Sequence, residues 1–281
     1  MIRHDWTKPL LKSEILDLSN NVCYDKFLDT NFEHSVSSYP DDAEAYRLIS
    51  QHYNISPYNI AIGYGSSDVI LRILQLYQGN SIEIVTPTWQ LAELYAHHIG
   101  YTIKDNADIL YVANPNGLTG KALSKSEILS LLPKYKLVIV DEAYGDFSDC
   151  SVIDSSITAD NLIVVKTLSK TVASPGLRFG YCFSNSDIIS KLQNVRPGYV
   201  TTSVTVPALN KLLPQACMHI NRMLETRSYI EDKYDVVSSE GNYVLFKTKH
   251  SFPIRMKEVN GLFRMSLTDI DTFKKFEDEL K

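Results

Sequence analysis

The sequence has few cysteines and no pattern that would use them together. Only four occur in 281 residues, at Cys23, Cys150, Cys182 and Cys217, and no two of them form a C-x-x-C pair. This spacing excludes a zinc-ribbon site and argues against a disulfide framework. We therefore expect a protein of a reducing compartment, the cytoplasm.

Long apolar runs and dense clusters of basic residues are also missing. No run approaches the roughly 20 residues that cross a bilayer, and residues 1–12 lack the apolar stretch of a signal peptide. The 33 acidic and 28 basic residues give a net charge of −5, without the basic surface that nucleic-acid binding needs. We expect neither a membrane nor a nucleic-acid partner, and the 44% hydrophobic content is typical of a folded globular chain.

Short β-branched runs alternate with helical segments through the first two thirds of the chain. Strands are predicted at residues 59–62, 81–85, 109–113, 136–140 and 161–165. Helices are predicted at residues 42–53, 67–77, 89–98 and 124–132. Continuous apolar strands between helices are typical of an α/β fold with a mostly parallel sheet covered on both faces, where ligands bind at the carboxyl ends of the strands.

The order of the elements changes near residue 185. Helices dominate from there until strand-like runs appear between residues 243 and 267. A chain of 281 residues suits one large α/β domain with a smaller partner. We expect an N-terminal arm at 1–29, a large cofactor-binding domain at 30–185 and a smaller α+β domain at 186–281.

Two predicted strands are followed by side chains suited to binding and catalysis. The strand at 136–140 leads into a carboxylate at Asp141 and a phenol at Tyr144, although capping of the next turn is an alternative role for Asp141. The strand at 161–165 is followed by Lys170 and Arg178. A lysine after a strand is usually a solvated surface residue, but nearby hydroxyls and a guanidinium can together bind phosphate oxygens.

A glycine-rich turn, Gly63-Tyr64-Gly65-Ser66-Ser67-Asp68, lies between a predicted strand and a predicted helix. Its glycines allow the backbone to approach an anion at the helix start. Asp68 occupies the third glycine position of G-x-G-x-x-G, and no Gly-Lys-Ser/Thr follows. A dinucleotide or nucleoside triphosphate site is therefore disfavoured.

Together with an asparagine loop at 114–120, these motifs resemble those of the class I/II aminotransferases of fold type I, which use pyridoxal 5′-phosphate (PLP). Within that family the chain is most similar to the histidinol-phosphate aminotransferase branch and its sister threonine-phosphate decarboxylases. The resemblance extends from about residue 18 to residue 280. Its other motifs are Tyr39-Pro40-Asp41, Gly65-Ser66-Ser67-Asp68, Asp141-Glu142-Ala143-Tyr144, Thr167-Leu168-Ser169-Lys170 and Gly176-Leu177-Arg178.

The resemblance implies a role for each matching residue. Lys170 would hold PLP as a Schiff base and move the substrate's Cα proton, Asp141 would pair with the pyridine nitrogen, and Tyr144 would donate to the phenolic oxygen. The further cofactor contacts that it implies are Gly65, Ser66, Ser67, Thr167, Ser169 and Arg178 around the phosphate, Trp89 stacked on the ring, Asn116 in the asparagine loop, and Tyr39 reaching the phosphate of a neighbouring subunit. The match at Tyr39 predicts a homodimer.

Two arginines match the family's substrate site. Arg264 would bind the α-carboxylate or an equivalent anion as a bidentate fork. Arg255 is a second candidate, although an arginine at the rim of the small domain, with no role in substrate binding, is nearly as good an interpretation of this residue. No metal site is predicted, because the adjacent His97 and His98 point about 100° apart on a helix.

The sequence also departs from the family pattern. Gly117 stands where the family has the asparagine that meets the cofactor's phenolic oxygen, and Asn116 would substitute only if the loop took another route. The family's N-terminal Asn-Glu-Asn-Pro motif is reduced to Ser19-Asn20-Asn21. These departures leave the substrate open.

We expect a PLP-dependent aminotransferase that moves an amino group between a small anionic amino acid or amine, phosphorylated or not, and a 2-oxo acid. A decarboxylase acting on an amino-acid phosphate is the nearest alternative, because the placement of the substrate's anion decides which Cα bond breaks. A non-catalytic ligand-binding relative of the fold is a third hypothesis, prompted by Gly117.

Overall fold

The structure is a computed structural model that describes residues 16–19, 21–29, 31, 37, 39–248, 254–259 and 261–278. Its strands are β1 (Leu16–Asp17), β2 (Ile60–Tyr64), β3 (Ser81–Ile84), β4 (Thr102–Ile103), β5 (Ile109–Ala113), β6 (Leu137–Asp141), β7 (Leu162–Thr167), β8 (Phe179–Phe183), β9 (Val236–Val237), β10 (Tyr243–Phe246), β11 (Ile254–Arg255), β12 (Lys257–Val259) and β13 (Leu262–Ser266).

Helices separate most of these strands along the chain. They are α1 (Asp42–Tyr53), α2 (Gly65–Leu76), α3 (Gln90–Ile99), α4 (Lys125–Leu129), α5 (Ile153–Ser156), α6 (Leu168–Thr171), α7 (Ser186–Asn194), α8 (Thr205–Leu212), α9 (Ala216–Lys233) and α10 (Ile270–Asp278).

The predicted parallel strands form most of one seven-stranded sheet, in the order β2-β8-β7-β6-β5-β3-β4. Neighbouring strands are parallel from β7 to β4, whereas β8 is antiparallel to both β2 and β7. Every residue of β6 and β7 is buried, because helices cover both faces of the sheet and alternate residues of these strands enter separate hydrophobic clusters. The predicted α/β class with a mostly parallel sheet is confirmed.

The direction of the strands determines where a site forms. β2, β5, β6 and β7 run in the same direction, so their carboxyl ends meet at one edge of the sheet. That edge receives the start of α2, the asparagine loop after β5, the turn after β6 and the helix α6. Most of the residues predicted to bind a cofactor lie in or next to these segments, whereas Trp89 precedes α3, Arg178 precedes β8 and Tyr39 precedes α1.

A second sheet, in the order β12-β13-β10-β9, is antiparallel throughout and packs against α9 and α10 around its own hydrophobic cluster. The N-terminal segment joins this unit. β1 pairs with β11, the Ser266 N–H donates to the Leu18 carbonyl at 2.9 Å, and Leu18 and Cys23 are buried in the same cluster. Residues 1–15 and 20 of the predicted arm lie outside the described residues.

The predicted division into arm, large domain and small domain stays a prediction, and the packing favours a later border than residue 185. Ile188, Ile189 and Leu192 of α7 pack in one cluster of the large sheet, and Ala208 and Leu209 of α8 pack in the other. We therefore propose a border near the start of α9. Among the described residues, none of the helices combines the length and apolar character that a membrane span requires.

Candidate active site

Asp141 is the last residue of β6, and its carboxylate is buried at the carboxyl edge of the large sheet. Its Oδ2 accepts a hydrogen bond from the Tyr111 hydroxyl at 2.7 Å, and its Oδ1 accepts one from the Ala143 backbone N–H at 3.1 Å. Burial raises the pKa of Asp141, although both hydrogen bonds act in the opposite direction. The hydrogen bond from the Ala143 N–H shows that Asp141 stabilises the turn after β6. A buried carboxylate also favours a cationic partner.

Tyr144 lies in the turn after β6 and is held from two sides. Its hydroxyl oxygen accepts a hydrogen bond from Asn21 Nδ2 at 2.8 Å, and its ring packs edge-on against Tyr243 with the centroids 5.8 Å apart. Burial raises the pKa of Tyr144, while the charge of Arg264 and the Asn21 hydrogen bond lower it. Because the oxygen acts as acceptor toward Asn21, the hydroxyl hydrogen remains available for an acceptor in the site.

Lys170 lies on α6, immediately after β7, and its Nζ is 5.8 Å from the centroid of the Tyr144 ring. Burial, together with the charges of Arg264 and Arg178, lowers the pKa of Lys170 to about 8, against the opposing effects of Cys23 and Asp141. An amine with this pKa is neutral in about a tenth of the molecules at pH 7. The neutral form is the one that attacks a carbonyl carbon or accepts a proton.

A backbone cradle forms where β2, α2 and β8 meet. Gly65 begins α2 with a φ of +77°, and a Cβ at that position would lie 2.6 Å from Arg178 Nη2. A Cβ at Gly180 would lie 2.1 Å from the backbone nitrogen of Ser66. Both positions therefore require glycine. Arg178 Nη2 donates to Ser67 Oγ at 3.4 Å beside the first turn of α2, whose N–H groups no side chain of the described residues caps, an arrangement that suits an anion.

The hydroxyls of Thr167 and Ser169 lie at the start of α6, beside β8. Thr167 Oγ1 accepts the Ser169 N–H at the start of α6, and the two hydroxyl oxygens are 3.0 Å apart. Thr167 pairs with Gly180 across β7 and β8, and Gly180 in turn touches the start of α2. The structure thus brings the predicted phosphate-binding residues from two distant loops to one place.

The asparagine loop approaches Tyr144 through Gly117, where a Cβ would lie 2.6 Å from Tyr144 Cε2. The neighbouring Asn116 uses its side chain to order the loop. Its Oδ1 accepts the backbone N–H groups of Leu118 and Thr119, and its Nδ2 donates to the Pro87 carbonyl at 2.7 Å. Both ends of the Asn116 amide are occupied, and its contact with a cofactor stays a prediction.

Arg264 lies on β13 and joins three parts of the chain. Its side chain is 6% exposed, with Nη1 donating to the Gly117 carbonyl at 2.7 Å and Nη2 donating to the Ser19 carbonyl at 3.3 Å. Its Nε has no hydrogen-bond partner within the described part of the chain. The backbone of Arg255 pairs with Asp17 between β11 and β1, but the Arg255 side chain lies outside what the structure describes.

Trp89 and Tyr39 contact other aromatic rings in the structure. Trp89 precedes α3, and its half-buried ring packs edge-on against Tyr95 at 6.0 Å. Tyr39 is 78% exposed and stacks on Tyr199 with the ring centroids 4.4 Å apart. Tyr64, the residue before the cradle glycine, donates its hydroxyl to the Tyr199 carbonyl at 3.1 Å. Tyr39 therefore lies on the surface beside the rim of the cradle.

A buried lysine of β7 links the turn after β6 to α6. Lys166 Nζ lies 2.6 Å from Asp146 Oδ1 and 3.6 Å from Glu142 Oε2, and Asp146 also accepts a hydrogen bond from the Thr171 hydroxyl. Burial lowers the pKa of Lys166, but the charges of Asp146 and Glu142 outweigh it and raise the pKa above its ordinary value. This network holds together the two segments that carry the phenol and the amine of the site.

The sequence motifs do not single out three residues that the structure places around the site. Tyr111 lies inside an apolar strand, where nothing local distinguishes it, yet it donates to Asp141. Tyr243 begins β10 and donates to the Asn116 carbonyl at 2.7 Å. Asn21 lies in the reduced N-terminal motif, which is the signal that could have identified it.

Comparison with known proteins places the chain among enzymes. The sequence profile of the family described as aminotransferase class I and II matches residues 70–243. The histidinol-phosphate aminotransferase of Pyrococcus furiosus is 27% identical over 263 residues, which span 85% of this chain and 75% of that protein.

Solved structures share the fold. The histidinol-phosphate aminotransferase from Sinorhizobium meliloti, in complex with pyridoxal-5′-phosphate, has a TM-score of 0.74 at 18% identity and covers 87% of this chain and 82% of that one. The L-threonine-O-3-phosphate decarboxylase from Porphyromonas gingivalis has a TM-score of 0.71 at 18% identity and covers 87% of this chain and 92% of that one. The predicted fold of the PLP-dependent transferases is confirmed.

Proposed function

The chain belongs to the aminotransferase class I and II family, and from that premise we propose that it transfers an amino group between a small anionic amino acid or amine and a 2-oxo acid. The predictions of a PLP-dependent aminotransferase and of its similarity to histidinol-phosphate aminotransferases are confirmed. The choice of substrate and the role of each residue are our proposals. The residue roles are supported above all by one observation: the Lys170 amine lies 5.8 Å from the Tyr144 ring, just after β7, at the same edge of the sheet where neighbouring β6 ends in the buried Asp141.

The residues of the site fit PLP. The cradle requires glycine at Gly65 because of its φ of +77°, and Arg178 offers donors to a phosphate there. Asn21, which contacts Tyr144, and Arg264, which contacts the Gly117 carbonyl, each keep one buried polar atom, Oδ1 and Nε, without a hydrogen-bond partner among the described residues. When bound, PLP would withdraw electrons from the substrate's Cα, so that the Cα proton can leave.

The donors of the cradle would hold the phosphate, and Trp89 would stack on the pyridine ring. The proposed phosphate contacts are Gly65, Ser66, Ser67, Thr167, Ser169 and Arg178. A phosphate here would receive charge from the Arg178 guanidinium and dipoles from the first turn of α2.

Three side chains would carry the chemistry. Lys170 would bind the cofactor covalently and, once the substrate's amine replaces it, would shift the Cα proton. Asp141, whose charge is destabilised by burial, would gain a cationic partner in the protonated ring nitrogen and keep that nitrogen protonated. Tyr144 would donate its free hydroxyl hydrogen to the phenolic oxygen.

Arg264 would bind the substrate's anion. Its guanidinium is buried, and its charge lowers the pKa of Lys170. It donates hydrogen bonds to the backbone carbonyls of Gly117 and Ser19. A substrate carboxylate would displace these carbonyls, because a charge-assisted hydrogen bond is stronger than a bond to a neutral carbonyl. Arg255 remains the second candidate. An anion fixed by Arg264 would orient the Cα bond that breaks.

We also propose a cytoplasmic homodimer. The exposed rings of Tyr39 and Tyr199, with Tyr64 beside them, form an aromatic patch next to the phosphate cradle, where a neighbouring subunit could contribute to the site. The four cysteines are free thiols, which suits a reducing compartment. Light scattering of the wild-type protein and of Tyr39→Asp would test the dimer, since a charge at a buried aromatic contact would favour the monomer.

The function is tested by offering the purified, cofactor-loaded protein a panel of amines and amino acids, including phosphorylated ones, without a 2-oxo acid. An aminotransferase converts its bound cofactor to the amine form in one turnover and returns it when a 2-oxo acid is added. Release of carbon dioxide without need for a 2-oxo acid would instead show a decarboxylase. Bound cofactor that reacts with no member of the panel would favour a non-catalytic relative.

A further inference from the structure

We propose that Asn21 supplies, from the N-terminal segment, the side-chain amide that the asparagine loop lacks at Gly117, and that it positions Tyr144 against the cofactor's phenolic oxygen. Asn21 is thus a positioning residue that acts through Tyr144. This inference rests on the proposed function, because it concerns how the chain holds PLP.

The loop itself has no amide to offer at this place. Gly117 has no side chain, and a Cβ there would lie 2.6 Å from Tyr144 Cε2 and 3.2 Å from its Oη. Asn116, the nearest asparagine, bonds the loop backbone and the Pro87 carbonyl with its side chain. The close approach of the loop to Tyr144 therefore excludes an asparagine from the loop and leaves the Tyr144 hydroxyl accessible from the N-terminal side.

Asn21 is built into that opening. Its side chain is 1% exposed, its φ is +52°, and its backbone carbonyl accepts a hydrogen bond from Asn242 Nδ2 at 3.1 Å. Asparagine is one of the few residues that adopt this left-handed backbone readily. Held in this way, Nδ2 donates to Tyr144 Oη at 2.8 Å, while Oδ1 is buried with no hydrogen-bond partner among the described residues.

The hydrogen bond from Asn21 to Tyr144 makes the Tyr144 hydroxyl more acidic. A donor to the phenol oxygen stabilises the negative charge that develops there, so the hydroxyl of Tyr144 becomes a stronger donor toward its own acceptor. Without Asn21, the cofactor's phenolic oxygen would hold more negative charge and would stabilise a proton on the adjacent nitrogen joined to Lys170. Loss of the amide should therefore raise the pH at which that nitrogen loses its proton.

The experiment is a spectrophotometric pH titration of the visible cofactor band in the loaded protein without substrate. It compares the wild type, Asn21→Gly, Tyr144→Phe and the double variant. Glycine tolerates the left-handed backbone, and Asn21→Asp is a second variant that keeps the shape of the side chain without its N–H donors. Asn31→Gly, at an exposed position of the same segment, is the matched control.

We expect the midpoint in Asn21→Gly to rise by about half a pH unit or more, the size of shift that loss of one hydrogen bond produces. Asn21→Asp should shift it in the same direction, and Asn31→Gly should not shift it. In the Tyr144→Phe background the effect of Asn21→Gly should disappear, because the two residues act as one unit.

An unchanged midpoint in both Asn21 variants, or an equal shift with and without the Tyr144 hydroxyl, would overturn this inference while leaving the proposed function intact. A wild-type protein that shows no cofactor band after incubation with PLP would instead overturn the proposed function, and this inference with it.

Discussion

Gly117→Ala would add one methyl group where the asparagine loop comes closest to Tyr144. The new Cβ would lie 2.6 Å from Tyr144 Cε2, about 1 Å closer than the roughly 3.5–4.0 Å of ordinary carbon contacts. Neither side can move freely. Tyr144 is held by Asn21 and packs against Tyr243, and the Gly117 carbonyl accepts the Arg264 hydrogen bond at 2.7 Å.

The magnitude follows from these constraints. Overpacking of this kind costs about 1–3 kcal/mol, and the smaller unfolded-state entropy of alanine offsets about 0.4–1 kcal/mol, so we expect a net loss of about 1–2 kcal/mol in the free energy of unfolding. A displacement of about 1 Å at a reacting group costs up to about 100-fold in rate. We therefore expect kcat/KM to fall by about 10- to 100-fold in Gly117→Ala.

Urea unfolding and the rate of the amine half-reaction measure these two effects. Gly198→Ala is the matched control for unfolding, because its added Cβ would meet no atom of the described residues within 4 Å apart from its chain neighbours. Wild-type stability and rate in Gly117→Ala, or a rate gain in Gly117→Asn, would refute the close approach of the loop to Tyr144 as the reason for glycine at this position.

Three further predictions concern the buried charges. In the cofactor-free protein, the pKa of Lys170 is about 8 in the folded state, below its ordinary value of 10.5. Between these two values the unfolded state binds more protons, so the free energy of unfolding rises with pH there. Lys170→Met should remove that rise in urea titrations at several pH values, and a pH profile identical to that of the wild type would contradict the prediction. Asp141→Asn should fold normally, but its amine half-reaction, measured by stopped flow, should be slower by about 100-fold or more, because the variant lacks the charge that would face the ring nitrogen. A wild-type rate would exclude a role for Asp141 opposite that nitrogen. Lys166→Met should lower the free energy of unfolding, measured by calorimetry, by about 3–5 kcal/mol, because the carboxylates of Glu142 and Asp146 would stay in the interior without a cation. Neutralising both acids in the same protein, as Glu142→Gln and Asp146→Asn, should recover part of this loss. No recovery would argue against the unpaired charge as its cause.

The sheet could be predicted wherever the apolar runs are continuous. The predicted strand at 109–113 coincides with β5, and the strand predicted at 161–165 is β7 displaced by one or two residues. β8 was not predicted as a strand, since Gly180 has low strand propensity and its partners β2 and β7 are distant in sequence. The glycine is present because β8 passes so close to the start of α2.

The predicted site residues gather at one edge because parallel strands bring their carboxyl ends together, a rule that needs no long-range information. Contacts between segments far apart in sequence could not be predicted in the same way. Asn21 meets Tyr144 across 123 positions, and Arg264 meets Gly117 across 147. These contacts depend on how the second sheet and the N-terminal segment pack against the large sheet, which periodicity does not encode.

The measurement that tests the account most directly is the location of the covalent bond between the protein and PLP. The loaded protein is reduced with borohydride, digested, and mapped by mass spectrometry. We predict the pyridoxyl phosphate mass on Lys170 alone, together with loss of the visible band in Lys170→Ala. A label on another lysine, such as the buried Lys166, or a band that persists in Lys170→Ala after dialysis, would contradict the account.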